Sequence, residues 1–196
     1  MTEHQDSSTA EHILHRALHL FLSVGIKRVT MDDVAQSAGL TRVTVYRYYG
    51  GKQDLVDRVF QQIAASFTTA SQRLEDDRTV SIEETVDALG RALTNLPPGD
   101  FPARLDELRR LYPDIYERFR RTRHTALELI FEHLFDAAAA QGRLRPGLDR
   151  AVVQTYFMVA VVNVIEHPQL IGQGLAPDTI FQTVKSIFLH GILTGT

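Results

Sequence analysis

Two short segments lying close together constrain this chain more than anything else in it. Thr30-Met31-Asp32-Asp33 fits a helix start: the threonine can cap the first turn, and both aspartates sit where the helix dipole favours negative charge. Val34, Ala35 and Ala38 supply a small apolar face, and Gly39 stops the helix early. Leu40 is apolar and can plug the turn. Thr41 then caps a further short helix, Arg42 to Tyr49, which Gly50-Gly51 closes. Upstream, Ile13, Leu14, Ala17, Leu18 and Phe21 recur at the spacing of one helix face, with Gly25 as a stop. The pattern is two short helices joined by a tight Ala-Gly-Leu turn and supported by a preceding helix.

The remainder is also helical in period. Leu55, Val59, Ile63 and Phe67 form a four-residue ladder on a long helix from Lys52 to near Glu75. Ile82, Val86, Leu89 and Leu93 mark another, and Leu96-Pro97-Pro98-Gly99-Asp100 is the strongest breaker in the chain. Phe101–Leu111, Pro113 to near Gly142, Ala151–Glu166 and Asp178–Leu193 read as further helices, with His167–Pro177 as a loop. No sustained period-two alternation occurs, so the expected class is all-α, with about nine helices. Cysteine is absent, which removes disulfides, thiolate metal sites and cysteine nucleophiles, and makes the cytoplasm the expected compartment. The polar start, Met1 to Ala10, is no signal peptide and is expected to be a disordered arm. The longest apolar stretch, Tyr156–Ile165, is broken by Asn163 and is about half of what a membrane helix needs, so no membrane association is expected.

The net charge is −3, so a nucleic-acid site has to be a local basic patch. Thr41–Lys52 is such a patch: it holds Arg42, Arg47 and Lys52, no acid, and the hydroxyls of Thr41, Thr44, Tyr46, Tyr48 and Tyr49. Cations neutralise phosphates, hydroxyls fix register on phosphate oxygens, and Val43 and Thr44 can meet a base edge or a thymine methyl. The layout is that of a helix-turn-helix, whose second helix enters the major groove. Solvated charges on a helix face are the competing reading of the three cations taken alone.

The run from Thr30 to Leu55 closely resembles the DNA-binding signature of the TetR family of bacterial regulators. It has the Ala-Gly-apolar-Thr turn, Tyr46, the aromatic Tyr49, and the Lys52-x-x-Leu55 ending. The resemblance implies that Thr30, Tyr48 and Lys52 grip phosphates. It puts Thr41, Arg42 and Thr44 near base edges or flanking phosphates, Tyr46 on the DNA backbone, and Tyr49 in the domain core. Val43 departs from the usual glycine and Tyr49 from the usual phenylalanine. The N-terminal arm lacks the arginines that would reach a minor groove.

Beyond residue 55 no motif names a ligand. The resemblance implies a C-terminal helical bundle whose last two long helices form a four-helix homodimer interface and whose middle helices enclose an effector pocket. Ala151–Glu166 suits the first role, because a helix apolar on nearly all sides must be covered on all sides. A second subunit and the rest of the same chain are both available covers. Leu108, Tyr112, Tyr116, Phe131 and Phe157 can line an apolar cavity or be plain core. Asn163, an amide in an apolar run, wants a partner: a ligand, its own copy across a dimer, or a neighbour in the core.

Arg118, Arg120, Arg121 and Arg123 with His124 form a basic run that one helix cannot turn inward together, so most of it is expected in solvent. His12, His15 and His19 share a helix face, but no third distant ligand accompanies them, and a metal site is not expected. No nucleophile elbow, phosphate loop or carboxylate pair is present, so neither enzymatic activity nor a cofactor is expected. The expected organisation is a disordered arm (1–10), a three-helix DNA-binding domain (11–54) and a ligand-sensing, dimerising bundle (55–196). The expected function is a homodimeric repressor released from a pseudo-palindromic operator in double-stranded DNA by an unidentified small molecule. A DNA-binding regulator without an effector, and a carrier or enzyme that retains the fold, are the alternatives.

Overall fold

A computed structural model describes residues 2–76, 80–94, 99–164 and 167–194. Its elements are α1 (Thr2–Ser23), α2 (Met31–Ala38), α3 (Arg42–Tyr49), α4 (Lys52–Asp76), α5 (Ile82–Thr94), α6 (Phe101–Leu111), α7 (Pro113–Ala140), α8 (Arg150–Val159, continued by a π-helical turn over Ala160–Val164), α9 (Pro168–Gly172) and α10 (Pro177–Ile192). Among the described residues the only β pairing is an isolated antiparallel bridge between Leu144 and Leu193. The all-α class expected from periodicity is the class observed.

Among the described residues, side-chain caps explain half of the helix starts. Thr30 accepts from the Asp33 amide, Thr41 from Thr44, Asp100 from Ala103 and Asp149 from Val152. Ser81 and Glu84 close a reciprocal box at the head of α5, where the Ser81 amide donates to Glu84 and the Glu84 amide to Ser81, each at 3.1 Å. Two expectations need correction. Residues 2–10 are the first turns of α1 rather than a disordered arm, because Asp6 and Ala10 are both hydrogen-bonded by tyrosines of α3. The segment 167–177 holds the short helix α9, whose proline comes at the first position, where a missing amide costs nothing. Leu96, Pro97 and Pro98 of the breaker, and Ile165 at the end of the apolar run, lie outside the described residues.

The chain packs as two compact units. The first comprises Met1–Ala64 and Pro97–Arg120. Its core combines Ile13, Ala17, Phe21 and Leu22 of α1 with Val34, Val45, Leu55, Val59 and Phe60, and with Leu108, Ile115 and Phe119 from the later segment. The Phe60 and Phe119 rings meet edge to face at 5.6 Å, and Phe101 meets Phe119 the same way at 6.2 Å. Two glycines allow α1 and α6 to approach this closely. Gly25 has φ 116°, and a Cβ there would overlap the Arg104 guanidinium; a Cβ on Gly99 would run into the Leu22 carbonyl. Glu107 then ties the elements together, accepting from Arg104 at 2.8 Å and from the Lys27 amide at 3.2 Å. The unit is thus larger than the segment 11–54, since α6 and the head of α7 complete its core.

The second unit comprises Ala65–Leu96 and Arg121–Thr196. Ile82, Val86, Leu89 and Leu93 bury one face of α5, where the Phe181 ring of α10 occupies the space a Cβ on Gly90 would need. Leu127, Ile130, Phe131 and Leu134 of α7 pack in the same core, and the Phe131, Phe157 and Phe188 rings follow one another at 5.5 and 5.3 Å. The inward side of α8 is Val153 and Phe157, followed by Ala160 and Val161. Its outward side is Val152, Tyr156 and Val159, exposed at 67%, 50% and 48%.

Candidate DNA-binding surface

The geometry of the α2–α3 pair follows from its punctuation. Gly39 takes the left-handed conformation at φ 67°, which Cβ-bearing residues rarely adopt, and the Leu40 amide bonds back to the Ala35 carbonyl at 2.9 Å. This reversal separates the helices by the shortest of turns. α1 fixes the end of α2 from the side: the Arg16 Nε donates to the Ser37 carbonyl at 2.8 Å, and a His12 ring nitrogen lies 3.2 Å from the Ala38 carbonyl. Val45 and Tyr49 anchor α3 in the core, so the opposite side of α3 faces solvent.

That outer side carries Arg42, Val43, Tyr46 and Arg47, with Thr44 and Tyr48 half-buried at its margins. Val43 is 79% exposed, more than any other large apolar side chain described. Nothing inside the protomer explains a branched apolar residue held so far into solvent. The cations already have partners within the chain. Arg42 pairs with Asp32 at 3.1 Å and lies 5.2 Å from the Tyr46 ring centre, while Arg47 lies 5.1 Å from that of Tyr48. The Tyr46 hydroxyl and then the Asp32 carboxylate hold the Arg42 guanidinium above its ordinary pKa.

Thr30, Thr41 and Lys52 are tied into the framework as well. Thr41 caps α3 and shares a hydroxyl–hydroxyl bond with Thr44 at 2.9 Å. Thr30 is exposed, yet its hydroxyl donates to Asp33 at 2.7 Å and accepts from the Asp33 amide at 3.2 Å. The Thr30 amide also donates to the Asp33 carboxylate at 2.8 Å; that bond most, and then the hydroxyl one, lowers the Asp33 pKa. The sign is that of a depressed carboxylate. The contribution is present above the unfolded-state pKa, and is lost as pH falls through the still lower folded-state value. Thr30→Ala is expected to cost about 1 kcal/mol in urea unfolding at neutral pH, with the difference from wild type narrowing in acid.

Lys52, at the head of α4, donates to the Lys27 carbonyl at 3.2 Å. Burial pushes its ammonium below its usual pKa, against the pull of Glu107 and Asp33. All the side chains that the sequence pattern singled out from Thr30 to Lys52 therefore belong to one unit, with those of α3 on one face and Thr30 and Lys52 at flanking helix starts.

The family model for bacterial regulatory proteins of the tetR family matches residues 13–59, which take in α1 from Ile13 onward, α2, α3 and the head of α4. Over nearly the whole length, the chain is 33% identical to the HTH-type transcriptional regulator SrpR of Pseudomonas putida, covering 99% of this chain and 76% of that one. The chain belongs to the TetR family. It is also 25% identical to the HTH-type transcriptional repressor KstR2 of Mycolicibacterium smegmatis, over 97% and 94% of the two chains. A TetR transcriptional regulator from Chloroflexus aurantiacus shares the fold, with a TM-score of 0.72 at 15% identity over 98% of this chain and all of that one. This TetR-family protein is accordingly a DNA-binding transcriptional regulator, and the family is not enzymatic.

The expected effector residues of this regulator are divided between the two units. Leu108, Tyr112 and Tyr116 belong to the first unit; Phe131, Phe157 and Asn163 belong to the second. Leu108, Phe131 and Phe157 are packed core residues, and Phe157 borders a space of about 20 Å³, room for little more than a water. Burial raises the Tyr112 phenol pKa. Asn163 is not buried in the protomer. It follows Val152, Tyr156 and Val159 at the spacing of one helix row, and that row faces outward. The second unit instead has a cavity of about 310 Å³ between α4 and α7, bordered by Ser71, Leu74, Leu129, Glu132, His133 and Asp136. Sequence reasoning missed it, because polar residues at those positions look like any solvated helix face.

Among the described residues no three histidine, aspartate or glutamate side chains converge as a metal would require, and no helix is long and apolar enough to cross a membrane. The His15 and His19 rings stand 4.7 Å apart on α1. The arginine run divides: Arg118 pairs with Asp57 and Arg120 with Glu117, each at 2.9 Å, whereas Arg123 is buried.

Proposed function

We propose that this regulator is a homodimeric repressor that reads a pseudo-palindromic operator with α3 and leaves it when a small molecule binds the helical bundle. The observation that carries the reading is the outer face of α3. It presents two arginines, an exposed valine and hydroxyls from a helix that itself carries no acid, mounted on a capped turn. Arg42, Val43 and Thr44 lie in its first turn, where a recognition helix meets base edges. Thr30, Thr41, Tyr46, Arg47, Tyr48 and Lys52 surround them with donors suited to phosphates. The DNA-reading segment is 11–54, and 55–196 senses the effector and dimerises. The protein acts in the cytoplasm, on the nucleoid.

The dimer reading is supported by the apolar row Val152, Tyr156 and Val159 on α8. The Tyr156 ring stacks on Phe188 of α10 at 6.4 Å, so this row adjoins the turn that carries the exposed Ile187. Asn163 continues the row. Facing its own copy, its amide would be satisfied and would fix the register of the pair, as a polar residue does in an otherwise apolar helical interface. For the effector, the 310 Å³ cavity of the second unit is of the size small ligands use.

The test selects fragments of the organism's genome with the purified protein near physiological salt and sequences them. Enrichment of a palindrome with half-sites in neighbouring major grooves is the expected result; no enrichment in effector-free protein overturns the proposal. Two substitutions separate gripping from reading. Lys52→Ala is expected to weaken binding to all sequences alike and to reduce the salt slope by about one. Thr44→Ala relaxes the preference at one or two base pairs and leaves the slope unchanged. Identical behaviour of the two variants would refute these roles.

A further inference from the structure

The reading helix is met by an anion that the helix-turn-helix motif itself does not contain. Tyr48 donates its hydroxyl proton to the Asp6 carboxylate at 2.6 Å, the short distance of a charge-assisted bond. Arg47 closes the chain from the other side, with Nη2 3.5 Å from the same hydroxyl and its guanidinium over the same ring. The contact is built rather than incidental. Asp6 and Ala10 are four apart on α1, and the adjacent Tyr49 donates to the Ala10 carbonyl at 2.7 Å. Neighbouring tyrosines thus hold the first turns of α1 against the end of α3.

We infer that Asp6 is a built-in competitor for the DNA phosphate at Tyr48 and Arg47, so that the N-terminal turns of α1 weaken binding to DNA of any sequence. This rests on the DNA-binding reading of α3. A phosphate oxygen and a carboxylate oxygen make the same demand on a phenol hydroxyl, and both are attracted to the arginine beside it. They cannot share the donor, and when DNA arrives the displaced carboxylate is left beside a phosphate of like charge. The cost is independent of base sequence, because the contested group is a phosphate. A nearby pair differs in kind: Asp32 holds Arg42 from within the two-helix motif and across an exposed surface, whereas Asp6 comes from 42 residues upstream of Tyr48, on a helix that a second bond, from Tyr49 to Ala10, also holds.

The experiment measures dissociation constants for a labelled duplex of random sequence at about 50 mM and about 200 mM salt, using the full-length wild type, Asp6→Asn, Asp6→Ala and Glu11→Gln. Glu11 lies on the same helix and is exposed; its replacement removes the same charge, and its carboxylate accepts from Ser7 of α1 at 3.5 Å rather than from Tyr48. Asp6→Asn keeps an acceptor for Tyr48 and so protects the helix if the alanine variant frays; circular dichroism checks this. Asp6→Asn is expected to bind about three-fold more tightly at the lower salt, with the gain shrinking at the higher salt as charges are screened. Glu11→Gln changes affinity by less than half as much. Unchanged or weaker binding by a folded Asp6→Asn, or equal gains from Asp6→Asn and Glu11→Gln, overturns the inference. Wild-type protein that binds no duplex at all refutes the DNA reading and this inference with it.

Discussion

Ile187→Asp is expected to leave the protomer folded and to lower affinity for the operator by about 100-fold or more. Ile187 is 58% exposed in the single chain, so an aspartate there meets water and costs little. In a dimer built on the α8 and α10 faces the same carboxylate would be buried without a partner, a penalty of several kcal/mol that dissociates the pair. Two reading heads on one dimer bind as a linked unit, whereas two monomers bind separately, and the loss of that linkage is the source of the drop. Sedimentation distinguishes monomer from dimer, and a fluorescence anisotropy titration gives the affinity. Val152→Asp, at a residue 67% exposed on α8, should act in the same way. A variant that stays dimeric and binds normally would place the interface elsewhere.

Phe60→Ala is expected to destabilise the first unit by about 3–5 kcal/mol in urea unfolding. The ring is 1% exposed and meets Phe119 edge-on, so its removal leaves a cavity and forfeits an aromatic pair. A loss of that size is a large part of the total stability of an ordinary domain. DNA binding should therefore fail at moderate temperature, although every side chain of the α3 surface is intact. Phe60→Leu, which keeps most of the volume, should cost much less and retain binding. If Phe60→Ala proves as stable as wild type, Phe119 and α7 contribute nothing to holding the DNA-binding helices.

The parts of this protein that were legible in its sequence are those set by local chemistry. Thr30, Gly39, Thr41 and Gly50 delimit α2 and α3 through capping and left-handed turns, and these effects depend only on neighbours in the chain. Tyr49 was readable as an inward anchor, but not its hydroxyl bond to Ala10, since nothing in a polar N-terminus announces that distant tyrosines will hold it in a helix. The place of α6 was hidden for the same reason. Its link to α1 depends on the space left by Gly25 and Gly99 and on a carboxylate, Glu107, that reaches a backbone amide eighty residues away in sequence. Leu108 and Phe131 were ambiguous in principle, because the apolar residues that fill a core and those that line a pocket are the same types. Asn163 was a different case: the spacing that carries it outward with Val152, Tyr156 and Val159 was there to be counted.

The discontinuous make-up of the first unit also bears on how the protein is born. Its core takes residues from two stretches of chain, Met1–Ala64 and Pro97–Arg120, with the opening segment of the other unit between them. A nascent polypeptide that has emerged only through Phe60 already holds every proposed DNA-facing group, Lys52 included, yet it lacks Leu108, Ile115 and Phe119, against which Phe60 and its neighbours settle. The amino-terminal helices must therefore wait, with apolar side chains uncovered, until translation has passed Arg120. Competence to bind DNA is reached late in synthesis, and a fragment released early by a truncated message would expose a sticky surface instead of acting as a free-running, unregulated operator binder.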